Sequence, residues 1–213
     1  MVILLNRNFF KIVVVLIIVI IFSTSFTGFY SIQSIDDLAY AVAIGIDSSN
    51  IETIRLTLQF TKPNSTQEST PSKASPTFIS TVDCSSLDAG INIINSQLSK
   101  QTNLSHCKVI VISEELASKG ISKEIYSLVN KVQIRPDVNL VISKCSAQQY
   151  IFNAKPNLEN LVSKYYEILS HSSNYTAYSY NVKIGDFFNN ITDNSAEAFA
   201  ILRYIWTEFF QYD

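Results

Sequence analysis

Glycine is scarce in this 213-residue chain, at five residues. None of the five stands in G-x-G-x-x-G or G-K-[ST] spacing, so no backbone cradle for a nucleotide's phosphates is present. Cys84, Cys107 and Cys145 are an odd set with no C-x-x-C pair, which argues against a disulfide framework and against a zinc site. Each lies at an end of a strand-like segment, which leaves two alternatives open: one bridged pair, or free buried thiols. Positive charge is neither in excess nor clustered. Sixteen Lys and Arg against 18 Asp and Glu give a net charge of −2, and no local basic run offsets it, so nucleic-acid binding is disfavoured.

Histidine is limited to His106 and His171. His106 adjoins Cys107, but sequence neighbours on a strand point to opposite faces, so the two cannot make the facing pair that activates a thiol. His171 falls far away in a polar turn. Asp36 and Asp37 are adjacent carboxylates without a nearby His or third acid, and read as solvated charges before a strand. Glu114 and Glu115 follow a strand and could act in catalysis, but they equally suit the first turn of a capped helix. We expect a non-enzymatic protein with no catalytic, cofactor-binding or metal-binding residues and no cofactor.

What is present is core-forming: 47% of the residues are hydrophobic, spread through nearly every segment. The chain is organised around Val109, Ile110, Val111 and Ile112, apolar on both sides of a two-residue period, as a strand buried on both faces requires. Ser113 offers an N-cap, Glu114 and Glu115 complement the helix dipole, and Lys119 with Gly120 supply the stop. Before it, Leu38, Tyr40, Val42, Ile44 and Ile46 alternate with Ala39, Ala41, Ala43 and Gly45. That small-residue face lets a helix approach the sheet closely. Asp47 to Asn50 read as a turn, and Ile54, Leu56, Leu58 and Phe60 as the second strand of a hairpin, half-exposed because its alternate positions are polar.

From Thr61 to Pro76 the chain reads as a loop. Thr77 to Asp83 is a short strand, and Ser85 caps a helix carrying Leu87, Ile91, Ile94 and Leu98 on one face. A further amphipathic helix from Ile121 through Val132 stops before Pro136, and Val138 to Ser143 is again strand-like. Ser146 caps a short helix ending before Pro156, and Leu158, Leu161, Val162, Tyr165 and Leu169 line the face of another. Tyr175, Tyr178 and Tyr180 follow, read as packing surface more than as a binding site. The order predicts an α/β fold: a mixed β-sheet with an N-terminal hairpin, covering helices and right-handed crossovers. The predicted units are 1–29, 30–155 and 156–213, the last a helical start of a second, incomplete domain.

One transmembrane or signal helix precedes that fold. The apolar run Ile12 to Phe22 follows Arg7 and Lys11, and no Lys or Arg recurs until Arg55, so the positive side is N-terminal and the body faces outward. At roughly −0.3 to −0.6 kcal/mol for each central apolar residue, the run favours insertion by about 3 to 7 kcal/mol. An uncleaved anchor is preferred to secretory cleavage at Ser23, Ser25 or Gly28.

Two stretches, IDDLAYAVAIGID from Ile35 to Asp47 and SHCKVIVISEELASKG from Ser105 to Gly120, carry a resemblance. They are similar to the D-L-A-Y lead-in, A-I-G-I-D strand end and S-H-x-K-V-I-V-I-S-E-E-L-A run of the Ger(x)C family, the C subunits of nutrient receptors in bacterial spore germination. The resemblance implies a signalling or assembly subunit acting beside integral-membrane A and B subunits in the spore inner membrane. The nutrient is met only through that complex. It also implies a lipoprotein box ending in a lipidated cysteine. Here Phe26, Thr27 and Gly28 suit such a box, but Phe29 stands where the cysteine would be, so the lipid attachment point is missing. The family's chain continues for about one further domain, which predicts that residues after Ala200, with Arg203, Trp206, Phe209 and Phe210, form a non-native tail from an interrupted reading frame, or else an orphaned segment. The alternative is an extracytoplasmic small-solute-binding or hydrolytic domain that shares the pattern.

Overall fold

The computed structural model describes residues 2–25, 37–50, 52–61, 77–154, 156, 159–175, 181–193, 200 and 202–203. The chain divides into two compact units, Met1–Asp37 and Leu38–Asp213. In the first, α1 (Val2–Ser25) forms one helix, and its described side chains, 9–22, are all exposed. Among the described residues no helix is long and apolar enough to cross a membrane. Phe29 lies outside the described residues, as do Leu158, Tyr178, Tyr180, Trp206, Phe209, Phe210 and residues 62–76, which fall in the segment the sequence reads as a loop.

The second unit is built on a mixed open sheet. Its strands are β1 (Leu38–Ser48), β2 (Ile54–Thr61), β3 (Thr77–Cys84), β4 (Gln101–Asn103), β5 (Val109–Ser113), β6 (Asn139–Ser143) and β7 (Leu202–Arg203), in the spatial order β3-β2-β1-β5-β6-β7. β1, β2 and β3 pair antiparallel, whereas β1–β5, β5–β6 and β6–β7 pair parallel. β4 adds a parallel pairing to the first residues of β1. All five residues of β5 are buried, Ile110 and Ile112 toward one layer and Val109 and Val111 toward the other.

On one face lie α2 (Leu87–Gln97), α3 (Glu114–Lys119), α4 (Ser122–Val129) and α7 (Ile184–Thr192). Their Leu87, Ile94, Leu116, Ile125, Ile184 and Phe187 join Ile44, Ile46, Leu56 and Leu58 in the larger core. α5 (Ala147–Asn153) and α6 (Val162–His171) cover the other face with Ala147, Tyr150, Ile151, Val162 and Tyr166. Each fully buried Leu or Ile contributes about 1.5–3 kcal/mol relative to exposure, so these two layers are the main source of stability.

Several local features differ from the sequence reading. The alternation along β1 breaks at Val42: Ala41 pairs with Phe60 and Ala43 with Gln59, a bulge that inserts one extra residue. Val42 and Ala43 therefore both serve the smaller core, while Ala41, Ile44 and Ile46 serve the larger. β2 is likewise not half-exposed. Thr57 and Gln59 are buried, because α5 packs on its polar face and Tyr166 of α6 reaches Gln59.

Asp47 belongs to β1 and not to the turn. The cap of α2 is Ser86, whose Oγ accepts the Ala89 N–H at 3.2 Å; capping one residue later lets Leu87 open the helix inside the core. α4 ends at Val129, well before Pro136, because Ile134 must leave the helical path to be buried, and Val132 is left fully exposed. On α6 the buried residues are Val162 and Tyr166, with Leu161 half-exposed.

Chain beyond Pro156 returns to the same sheet. The Leu140 N–H donates to Val182 O at 2.8 Å and the Ile184 N–H to Val138 O at 2.9 Å, so the boundary read at Pro156 falls inside one compact unit. Leu202 and Arg203 extend that sheet through β7, beyond the point at Ala200 where the tail was placed.

Candidate functional site

The parallel strands β1, β5 and β6 finish at the same end of the sheet, where Asp47, one residue before the end of β1, stands with the terminal Ser113 and Ser143, all buried. In α/β sheets ligands bind outside the carboxyl ends of such strands, which makes this edge the first place to look. Asp47, 4% exposed, is its most polar group. Its Oδ1 accepts the Ala147 N–H at 2.6 Å and its Oδ2 the Gln148 N–H at 2.9 Å, while Ser146 Oγ takes the Gln149 N–H at 3.1 Å. Three successive orphan donors of the first turn of α5 are satisfied in this way. Burial pushes the Asp47 carboxyl above its ordinary range, against the pull of those two N–H groups, the Ser113 hydroxyl and Arg55. Both oxygens are engaged, so the group works as a strut between β1 and α5.

Beside it a cleft of about 450 Å³ opens between the β1–β2 turn, the start of α2, and α3 with α4. Leu87 and Leu116 contribute its apolar lining, and Lys119 and Lys123 stand among its polar groups. Lys119 Nζ donates to Ser48 Oγ at 2.7 Å and to Glu115 Oε1 at 2.8 Å, which ties α3 to the end of β1. Lys119 also holds the Glu115 carboxyl below its usual range. Ser113 Oγ accepts the Leu116 N–H, so Glu114 and Glu115 occupy the first turn of a capped helix.

The three cysteines are free. Cys107 is buried, donates to Val109 O, and has its thiol pushed up to about 12 by desolvation. His106 points away from it and stacks on Tyr40, ring centroids 4.3 Å apart. His171 ends α6 and is exposed, as is Asp37; Asp36 lies outside the described residues. Among the described residues no group of three or more His, Cys, Asp or Glu could hold a metal ion. Cys84 donates to Ile54 O across β2 and β3, and burial raises its thiol as well.

Sequence reasoning missed two buried polar links. One is the Asp47 strut. The other joins α6 to the sheet: Tyr166 Oη donates to Gln59 Oε1 at 2.7 Å inside the smaller core. A polar residue at an inward position of β2 was its only signal, and it carries no indication of a partner 107 residues away.

Residues 31–203 match the family described as the spore germination protein N-terminal domain. No curated protein and no solved structure matches the chain.

Proposed function

The chain belongs to the spore germination protein N-terminal domain family, and from that premise we propose that it is a non-enzymatic, membrane-anchored subunit of a spore germinant receptor. The family match across residues 31–203 carries this reading. The folded unit supplies rigidity and surface and makes no bonds. Asp47 is consumed in bracing α5, Cys107 is buried as a neutral thiol, and His106 is turned away from it. Its partners are two integral-membrane subunits, A and B, and a small nutrient acts on it only through their complex.

We assign anchoring to α1 on its composition and charge pattern, although no helix among the described residues is by itself long and apolar enough to cross a membrane. The side chains from Ile12 to Phe22 are exposed and wholly apolar, the composition that partitions into hydrocarbon. The positive charges of Arg7 and Lys11 keep the N-terminus inside and leave the folded unit on the outer side of the spore inner membrane. Phe29 has no thiol, so diacylglycerol transfer at that position is closed, and anchoring then rests on the helix escaping secretory cleavage at Ser23, Ser25 or Gly28. Extraction of spore membranes at alkaline pH, followed by intact-mass analysis, tests this: the chain stays with the bilayer and retains its leader. A mature chain starting between Thr24 and Phe29 and released into the soluble fraction would refute the anchor. Isolation of the tagged protein in mild detergent tests the partnership, with two polytopic subunits expected to accompany it.

A further inference from the structure

At the opposite edge of the sheet, where β5 and β6 begin, a second cleft of about 350 Å³ is lined by residues from four segments of the chain. Its cations are Lys108, Arg135 and Lys183, and its acids are Asp137 and Glu167. The acids are already committed. Asp137 Oδ2 accepts from Arg135 at 2.8 Å, and Glu167 is shared between Lys108 and Lys164, each at 3.6 Å. Lys183 is the exception. It donates to the neutral Asn139 Oδ1 at 2.9 Å, and no ion pair among the described residues includes it.

Asn139 is the feature that sets this cleft apart from a chance run of surface lysines. Its side chain is buried, a costly position for an amide unless its groups are bonded. Both its backbone N–H and its Nδ2 donate to Lys108 O, at 3.2 and 3.1 Å, which leaves Oδ1 turned toward Lys183. One buried amide therefore fixes the backbone that bears Lys108 and positions the Lys183 ammonium. A part-buried ammonium held by a neutral acceptor at the wall of a cavity lacks a counter-charge, and a bound oxyanion would supply it.

We propose that this cleft is an oxyanion site for a phosphate-class group, with Lys183 as its principal ligand and Lys108 and Arg135 as supporting cations. A free phosphate and the headgroup of an anionic phospholipid share this chemistry, and the test below separates them. The inference is independent of the anchor and of the receptor reading, since it rests only on the charge and geometry of the folded unit.

Calorimetric titration of the full chain in neutral detergent at low salt tests it, with inorganic phosphate and glycerophosphoglycerol as separate probes. Saturable binding that weakens as salt rises is the expected result. Lys183→Gln weakens it by roughly tenfold, the worth of one charge-assisted contact. Arg135→Gln, on an exposed side chain, weakens it by a smaller factor with the fold undisturbed, and keeps the test decisive if Lys183→Gln fails to fold. Tighter binding of glycerophosphoglycerol identifies a lipid headgroup as the source, and equal or weaker binding identifies free phosphate. Absence of saturable binding by either probe, or unchanged affinity in both variants with native circular dichroism, overturns the proposal.

Discussion

Asp47 Oδ1 accepts the backbone N–H of Ala147 at 2.6 Å, across one hundred residues of sequence. This bond and its companion to Gln148 fasten the first helix after β6 to the end of β1, and they do so with a carboxylate whose burial favours its neutral form. A group whose folded-state pKa lies above its ordinary 3.8 binds its proton more tightly folded than unfolded. Its contribution to stability is fully present below pH 3.8 and declines as pH rises through the folded-state value. Denaturant unfolding between pH 3.5 and pH 7 isolates this group by difference: the stability of the native chain minus that of Asp47→Asn should fall as pH rises, while Asp83, Glu115 and Glu167, held below their ordinary range, contribute equally to both. A pH dependence identical in both would contradict the assignment.

Gly45 faces α5 at close range. A Cβ added there would stand 2.8 Å from Ile151 Cδ1 and 3.3 Å from both Ala147 Cβ and Thr57 Cβ. The Ile151 methyl can rotate, but it is fully buried, and the two other neighbours are short side chains with nowhere to move. Gly45→Ala should destabilise the fold by about 1–3 kcal/mol, the usual cost of overpacking a filled core. A thermal melt unchanged from wild type would show that α5 shifts freely.

Tyr166→Phe removes the hydroxyl that Gln59 Oε1 receives at 2.7 Å and leaves that oxygen buried without its donor. The loss should be about 1–3 kcal/mol. Gln59→Leu in the same background removes the orphaned acceptor as well and should restore part of the loss; additive losses would deny that the two residues act as a pair.

The strands and the fold class were legible because apolar runs declare themselves locally. Val109 to Ile112 could only be a strand buried on both faces, and Gly45 among alanines announced a close helix. The bulge at Val42 was invisible, since Ala41, Val42 and Ala43 are all apolar and either face would accept them. Tandem Ser85 and Ser86 offer the same cap chemistry, and only the burial of Leu87 chooses between them. Asp47 was hardest to read: an acid at a strand end looks like a turn residue, and its true partners are amides of α5 that nothing near it in sequence discloses. The clefts at the two sheet edges are assembled from residues far apart in the chain, and local patterns do not report them.

A role in nutrient-triggered germination is measured most directly in spores. Spores lacking this gene, compared with spores carrying it as the single copy of its receptor set, should be scored for loss of refractility after nutrient addition. Deletion should abolish the response to at least one nutrient, and re-expression of the full chain should restore it while a form lacking residues 2–25 does not. Normal germination of the deleted strain with every nutrient to which the parent responds would contradict it.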